Sequence, residues 1–291
     1  MKPAFLLAIA LCYPAGQTHA AQSYPVTGIV LQVAPRDRSF VASIASIPGY
    51  MEAMAMPFSV RDDESLKGLQ PGTYIEFTLV VEKDDSYARD IHVRRFESME
   101  QEPLRARRLQ LMEDALHANS TARPLALGEP VPDFTLIDQT GRRVTLSQFE
   151  GKVVALTFIY TNCPLPNYCF RQSNNFARLQ KRFAKRLGSD LVLLSITFDP
   201  VHDRPEVLAQ YASAWKADPN SWHFLTGTLP DVKTVCRAFG LNFWTDEGSL
   251  THLLRTAIID RKGKLAAELE GNEYTAQQLG DLVQATLERA Q

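Results

Sequence analysis

Residues 153–160 form a continuous run of apolar and β-branched side chains, with none of the alternation of a half-exposed strand. Such a run reads as a strand covered on both faces, and it demands a central sheet with helices packed over it. Residues 191–198 repeat the pattern. Between the two runs Phe176, Leu179, Phe183 and Leu187 recur at helical spacing, and Gly188 predicts the stop. Asp203 is placed as N-cap of a further helix with an apolar stripe of Val207, Leu208, Tyr211 and Trp215. Asp260, Arg261, Lys262 and Gly263 signal a hairpin between strands 254–259 and 264–269. A capping box of Thr275 and Gln278 opens a last helix that runs to Leu287. Strand, cysteine loop, helix, strand, helix, hairpin, helix is the order of an α/β thioredoxin-like domain, assigned here to residues 127–291.

The N-terminal third is different. Short strands are expected over 26–33, 39–44, 72–81 and 87–93, with turns at Pro35-Arg36-Asp37 and Asp84-Asp85-Ser86. A methionine-rich stretch after Pro48-Gly49 supplies a fifth. Residues 22–96 therefore read as a small all-β, OB-like barrel. Residues 97–126 turn polar, and they predict a helix over 100–116 and then a flexible tail through Asn119, Ser120, Thr121 and Pro124, which together form a linker.

The first residues predict a signal peptide, 1–21. Lys2 is its positive start, 4–11 its apolar run, and Thr18-His19-Ala20 its small-residue cleavage region. The run is far shorter than the roughly 20 apolar residues of a membrane helix. The expected location is the periplasm. A retained leader would give weak membrane anchoring, and lipidation of Cys12 is an alternative. A net charge of −2 argues against nucleic acid as a partner. After export three cysteines remain, Cys163, Cys169 and Cys236. An odd number in an oxidising compartment implies at least one unbridged thiol.

Cys163 and Cys169 bracket a loop that follows a buried strand and precedes an amphipathic helix. A helix N-terminus stabilises a thiolate, which is both nucleophile and metal ligand. The loop is too short for a bridge across it to add much stability, so the pair reads as a redox-active or metal-binding site. His252, at the opening of the strand up to Ile259, is expected beside that loop. Two thiolates and an imidazole suit Cu(I) and can hold Cu(II).

These residues resemble the SCO/SenC family of thioredoxin-like copper proteins. The likeness rests on Pro132-Asp133-Phe134, the strand leading to Cys163-Pro164, Phe198-Asp199-Pro200 with Asp203-Arg204-Pro205-Glu206, and His252 ahead of Ile258-Ile259-Asp260. The resemblance implies copper ligands Cys163, Cys169 and His252, with Asp199 close behind them. It also implies a role in assembling the copper centre of cytochrome c oxidase, with an oxidase subunit as the receiving partner. The family usually places three residues between its cysteines; here there are five.

Met51, Met54 and Met56 are three of the chain's six methionines. On a strand Met54 and Met56 share a face, and three converging thioethers make a soft site for Cu(I). The segment resembles the small periplasmic copper-binding barrels of the CusF type. Those barrels add a histidine or an aromatic ring; residues 44–46 contain no histidine, and Tyr50 is the nearest ring.

Two functions compete. One is an exported copper chaperone with two sites. The other is a thiol–disulfide oxidoreductase using Cys163 and Cys169. Copper detoxification is a third reading. A peroxiredoxin is disfavoured because Tyr160 occupies the position of its threonine. Cys236 reads as a buried inert thiol, and Arg178, Lys181, Arg182, Lys185 and Arg186 as a solvated helix face.

Overall fold

The computed structural model describes residues 21–94, 123–164, 166–241, 243–246, 249–252 and 254–289. The leader and the helical part of the linker lie outside them. Five strands build the N-terminal unit: β1 (Gln22–Ala34), β2 (Ser39–Ile44), β3 (Met54–Ser59), β4 (Tyr74–Val81) and β5 (Ser86–Val93). They run in the order β3-β2-β1-β4-β5, and every pairing is antiparallel. A bridge from Val60 to Ala88 joins the two edges and closes the sheet into a barrel. Its centre is filled by Phe40, Phe58 and Phe77, with ring centroids 4.9–5.7 Å apart.

The C-terminal unit begins with the hairpin β6 (Thr135–Asp138) and β7 (Arg143–Thr145). It continues through β8 (Val153–Ile159), α1 (Arg171–Arg182), β9 (Leu191–Thr197), α2 (Pro205–Ala214), β10 (Trp222–Thr226) and α3 (Leu229–Ala238). A small ribbon follows, β11 (Phe243–Asp246) with β12 (Ser249–His252), and then β13 (Arg255–Ile259), β14 (Leu265–Glu270) and α4 (Ala276–Glu288). The main sheet has the order β14-β13-β8-β9-β10-β6-β7. Its centre, β8-β9-β10, is parallel. Every residue of β8 and β9 is buried, as the continuous apolar runs require. The α4 capping box forms as expected, and Cys236 is buried on α3.

Three expectations need correction. First, α1 stops at Arg182, before Gly188. The N–H groups of Arg186 and Leu187 both turn back to the Phe183 carbonyl, and Gly188 bonds forward to Leu191. Second, Asp203 does not cap α2. Arg204 holds that position without a side-chain cap, and Asp203 is wholly buried elsewhere. Third, His252 does not open the sheet strand. It ends β12, opposite Phe243 in the separate ribbon, and β13 begins at Arg255.

The two units are docked. Strand β1 buries both faces: Val26 and Val30 in the barrel core, Ile29 and Leu31 in the core of the C-terminal unit. Burying each of the latter two is worth about 1.5–3 kcal/mol. Helix α4 covers that outer face. Along it Gln277 Nε2 donates to the Ala53 carbonyl at 2.9 Å, Gln278 Nε2 to the Ser43 carbonyl at 3.2 Å, and Arg289 Nη2 to the Leu31 carbonyl at 3.2 Å. Gly72, in the turn before β4, rests on β14. A Cβ there would lie 2.2 Å from the Glu268 carbonyl oxygen.

Candidate metal centre

The cysteine loop leaves β8 at Ile159 and enters α1 at Arg171. Its extra length is taken up by a wide turn over Pro166–Phe170 that kinks at Tyr168. The turn brings Cys169 back under Cys163. Their thiols are hydrogen-bonded to each other, and no disulfide joins them. Cys163 is half-buried and Cys169 is 1% exposed. The adjacent Cys163 thiol, and then burial, hold the Cys169 thiol well above the ordinary cysteine range, while the Tyr160 backbone N–H works the other way. Tyr160 completes the pocket. Burial pushes its phenol up, and the side chain bonds to Cys163. The mouth is apolar: Phe170 is 60% exposed beside Cys169, with its ring 4.9 Å from that of Trp215.

Asp203 supports the loop from below. Its carboxylate accepts the Thr161 N–H at 3.0 Å, the Thr161 hydroxyl, and the Thr197 hydroxyl at 2.5 Å. Burial raises its pKa, against the pull of these bonds. Sequence reading missed this role, because an aspartate ahead of a helix looks like a cap. From the other side Asn272 Nδ2 donates to the Asn167 carbonyl within the loop. Asp199 pairs with His202 Nδ1 at 2.9 Å.

The side chain of His252 lies outside the described residues, but its backbone is placed. His252 faces Phe243 across the ribbon. The Phe243 ring lies 5.6 Å from Phe198, which lies 5.0 Å from Tyr160. Three rings in tilted contact thus carry the ribbon to the edge of the cysteine pocket.

In the barrel Met54 pairs with Ile44 and Met56 with Ala42, so the two methionines share the inner face. Met51 is tied to Ile47 by two backbone bonds of 2.8 and 3.1 Å. Met51 and Met56 pack on the barrel core, and Met54 is 46% exposed. Tyr50 stacks on Tyr24, centroids 4.1 Å apart at 12°. Two residues of the basic run are not simply solvated: Arg182 Nη2 binds Asp281 Oδ1 at 2.6 Å, and Arg186, beyond the end of α1, donates from Nε to Asp190 Oδ2 at 3.1 Å.

A family model described as SCO1/SenC matches residues 125–287, more than half of the chain. The chain belongs to this family. Residues 23–93 match a second model, described as copper binding periplasmic protein CusF. Among curated relatives, a SCO1 protein homolog of Bacillus subtilis is 33% identical over 101 residues, covering 35% of this chain and 51% of that protein. A putative copper-binding protein of Stutzerimonas stutzeri is 27% identical over 144 residues, 48% of this chain and 68% of that protein. The chain spans about half the length of the first curated relatives it matches. A solved structure, a putative electron transfer protein from Aquifex aeolicus, is 22% identical with a TM-score of 0.50, covering 55% of this chain and 94% of that one. It bears on the fold of the SCO1/SenC domain alone.

Proposed function

We propose that this SCO1/SenC protein is an exported copper carrier with two sites, which assists assembly of the copper centre of cytochrome c oxidase. The observation that carries the reading is the pair of hydrogen-bonded thiols, Cys163 and Cys169, with no disulfide between them. Two thiolates placed together match the softness of Cu(I), and His252 joins them as the third ligand from the ribbon. Asp199 stands behind this set. Met51, Met54 and Met56 form the second site, on the barrel that matches the CusF model. The name of the Stutzerimonas relative points the same way. The assembly role and the oxidase subunit as recipient follow from family membership. Residues 1–21 act as the leader, 22–96 as the barrel, 97–126 as the linker and 127–291 as the thioredoxin-like domain, in the periplasm or held at its membrane.

The same adjacent thiols favour a second reading, reduction of a disulfide in the recipient. One thiolate attacks, the other resolves the mixed disulfide, and Cys163 and Cys169 end joined.

An anaerobic Cu(I) titration against a competing chelator tests the first reading. The intact reduced chain takes two tight equivalents. Cys163→Ser loses one of them and Met54→Leu/Met56→Leu loses the other. No tight binding dependent on Cys163 would sink the carrier and leave the reductase.

A further inference from the structure

Residues 271–274, between β14 and α4, form a support anchored on two sides. Toward the sheet, the Gly271 N–H meets the Leu254 carbonyl at 2.9 Å. Tyr274 is 2% exposed, and its hydroxyl meets that of Thr256, on β13, at 2.6 Å. Toward α1, the same hydroxyl donates to Gln172 Oε1. Gln172 Nε2 donates in turn to the Gly271 carbonyl at 3.2 Å, and Arg171 Nη2 to that of Glu273 at 3.0 Å. A buried network whose members satisfy one another holds them to a single arrangement.

The cysteine loop has less of its own to hold it. Five residues separate the two cysteines, and α1 begins without a side-chain cap. The turn over Pro166–Phe170 returns Cys169 to Cys163, but a thiol is a weak donor and a weak acceptor, so contact between the sulfurs does little to keep the turn closed. Asn272 reaches into the middle of this turn from the support, where Nδ2 donates to the Asn167 carbonyl. Its side chain is buried, at 9% exposure, so the bond is made away from water and is costly to leave unmade. Arg171, two residues beyond Cys169, ties the far end of the loop to the same support.

We infer that Asn272 is a positioning residue: by latching Asn167 to the support it keeps Cys163 and Cys169 together and sets how readily the pair closes to a disulfide. The inference rests on the reading that these two thiols work as a pair. Chain order supplied in advance by the latch is not lost again when the sulfurs join, so the latch favours the closed state. Without it the loop samples open arrangements, and the disulfide becomes easier to reduce.

The experiment equilibrates the full mature chain, free of copper, with glutathione buffers, and counts alkylated thiols by mass. Cys163 and Cys169 give up two protons and two electrons to one glutathione disulfide; the products are the Cys163–Cys169 disulfide and two molecules of glutathione. Asn272→Ala is expected to lower this equilibrium constant about tenfold, which raises the potential of the pair by about 30 mV. Asn272→Asp keeps the size but sets an acceptor against the Asn167 carbonyl. It lowers the constant at least as far, and it decides the question if the alanine variant does not fold. Asn175→Ala is the control. Asn175 Nδ2 donates to the Tyr274 carbonyl at 3.4 Å, so this change loosens the support on α1 without removing the bond to the loop, and the constant stays at that of the intact chain. An unchanged constant in the Asn272 variants, or an equal fall in Asn175→Ala, overturns the latch. A pair that does not close even in the intact chain overturns the latch and the paired-thiol reading together.

Discussion

Ser43 Oγ donates a 2.6 Å hydrogen bond to Asp281 Oδ2 across the boundary between barrel and thioredoxin-like domain. Ser43 is fully buried, and the other Asp281 oxygen takes Arg182 at 2.6 Å. One carboxylate thus ties β2 to α4 and α4 to α1. Docking of the two units is built from such bonds around Ile29 and Leu31.

Asp281→Ala strips the acceptor from a buried hydroxyl and from a guanidinium. The expected cost is about 1–3 kcal/mol. In calorimetry the intact chain is expected to unfold in one transition, and the variant in two, as the barrel loses its support. One unchanged transition would show that the apolar contact alone holds the units together.

Gly72→Ala tests the approach of the barrel to β14. Its φ is +95°, and the new Cβ would meet the Glu268 backbone. Gly141, with φ +81° and open space around it, is the control for backbone strain. Gly141→Ala is expected to cost about 1 kcal/mol. Gly72→Ala costs more, and the excess vanishes in the isolated residues 22–96 if these fold. Equal losses in urea unfolding would refute the close approach.

Asp203→Ala releases Thr161, two residues before Cys163, and leaves the Thr197 hydroxyl buried without its acceptor. Stability is expected to fall by about 1–3 kcal/mol, and Cu(I) affinity at the cysteine site falls with it. Asp203→Asn keeps one acceptor oxygen and falls between the two proteins in both measurements. A stability loss with unchanged copper affinity would confine Asp203 to folding.

His223 and Asp138 predict the response to acid. Burial lowers the pKa of His223, against the Asp138 bond. Burial pulls Asp138 the other way, but bonds from Thr140, Arg142 and His223 outweigh it, and its pKa is lowered. Both folded values lie below the unfolded ones, so the unfolded chain binds more protons on acidification. Their stabilisation is present above the unfolded pKa and is lost as pH falls, from about 6.5 for the histidine and from about 4 for the aspartate. Asp203 and Glu268, raised by burial, act with the opposite sign. His223→Phe should flatten the fall in Tm between about pH 6.5 and 5; an unaltered slope would remove His223 from the account.

Much of this was legible in the residues. Both-face burial of β8 and β9, the alternation of β4, the Thr275–Gln278 box and the shared face of Met54 and Met56 all follow from period and propensity. The same signals misplace the end of α1, because Phe183 and Leu187 keep helical spacing, and even a bond from the Leu187 N–H to the Phe183 carbonyl, after the backbone has left the helix at Phe183. They also make a cap of Asp203, because no local pattern distinguishes an aspartate that caps its own helix from one that reaches back to Thr161.

The sequence by itself determined the two kinds of domain, the position of the cysteine loop between strand and helix, and the methionine spacing, since these depend on neighbours along the chain. Only the tertiary structure decided that the thiols of Cys163 and Cys169 touch, that His252 rides on a separate ribbon, and that β1 serves two cores. The physical reason is that periodicity records that a face is buried and not what buries it. The partner of Ser43 lies 238 residues away, beyond the reach of any local pattern.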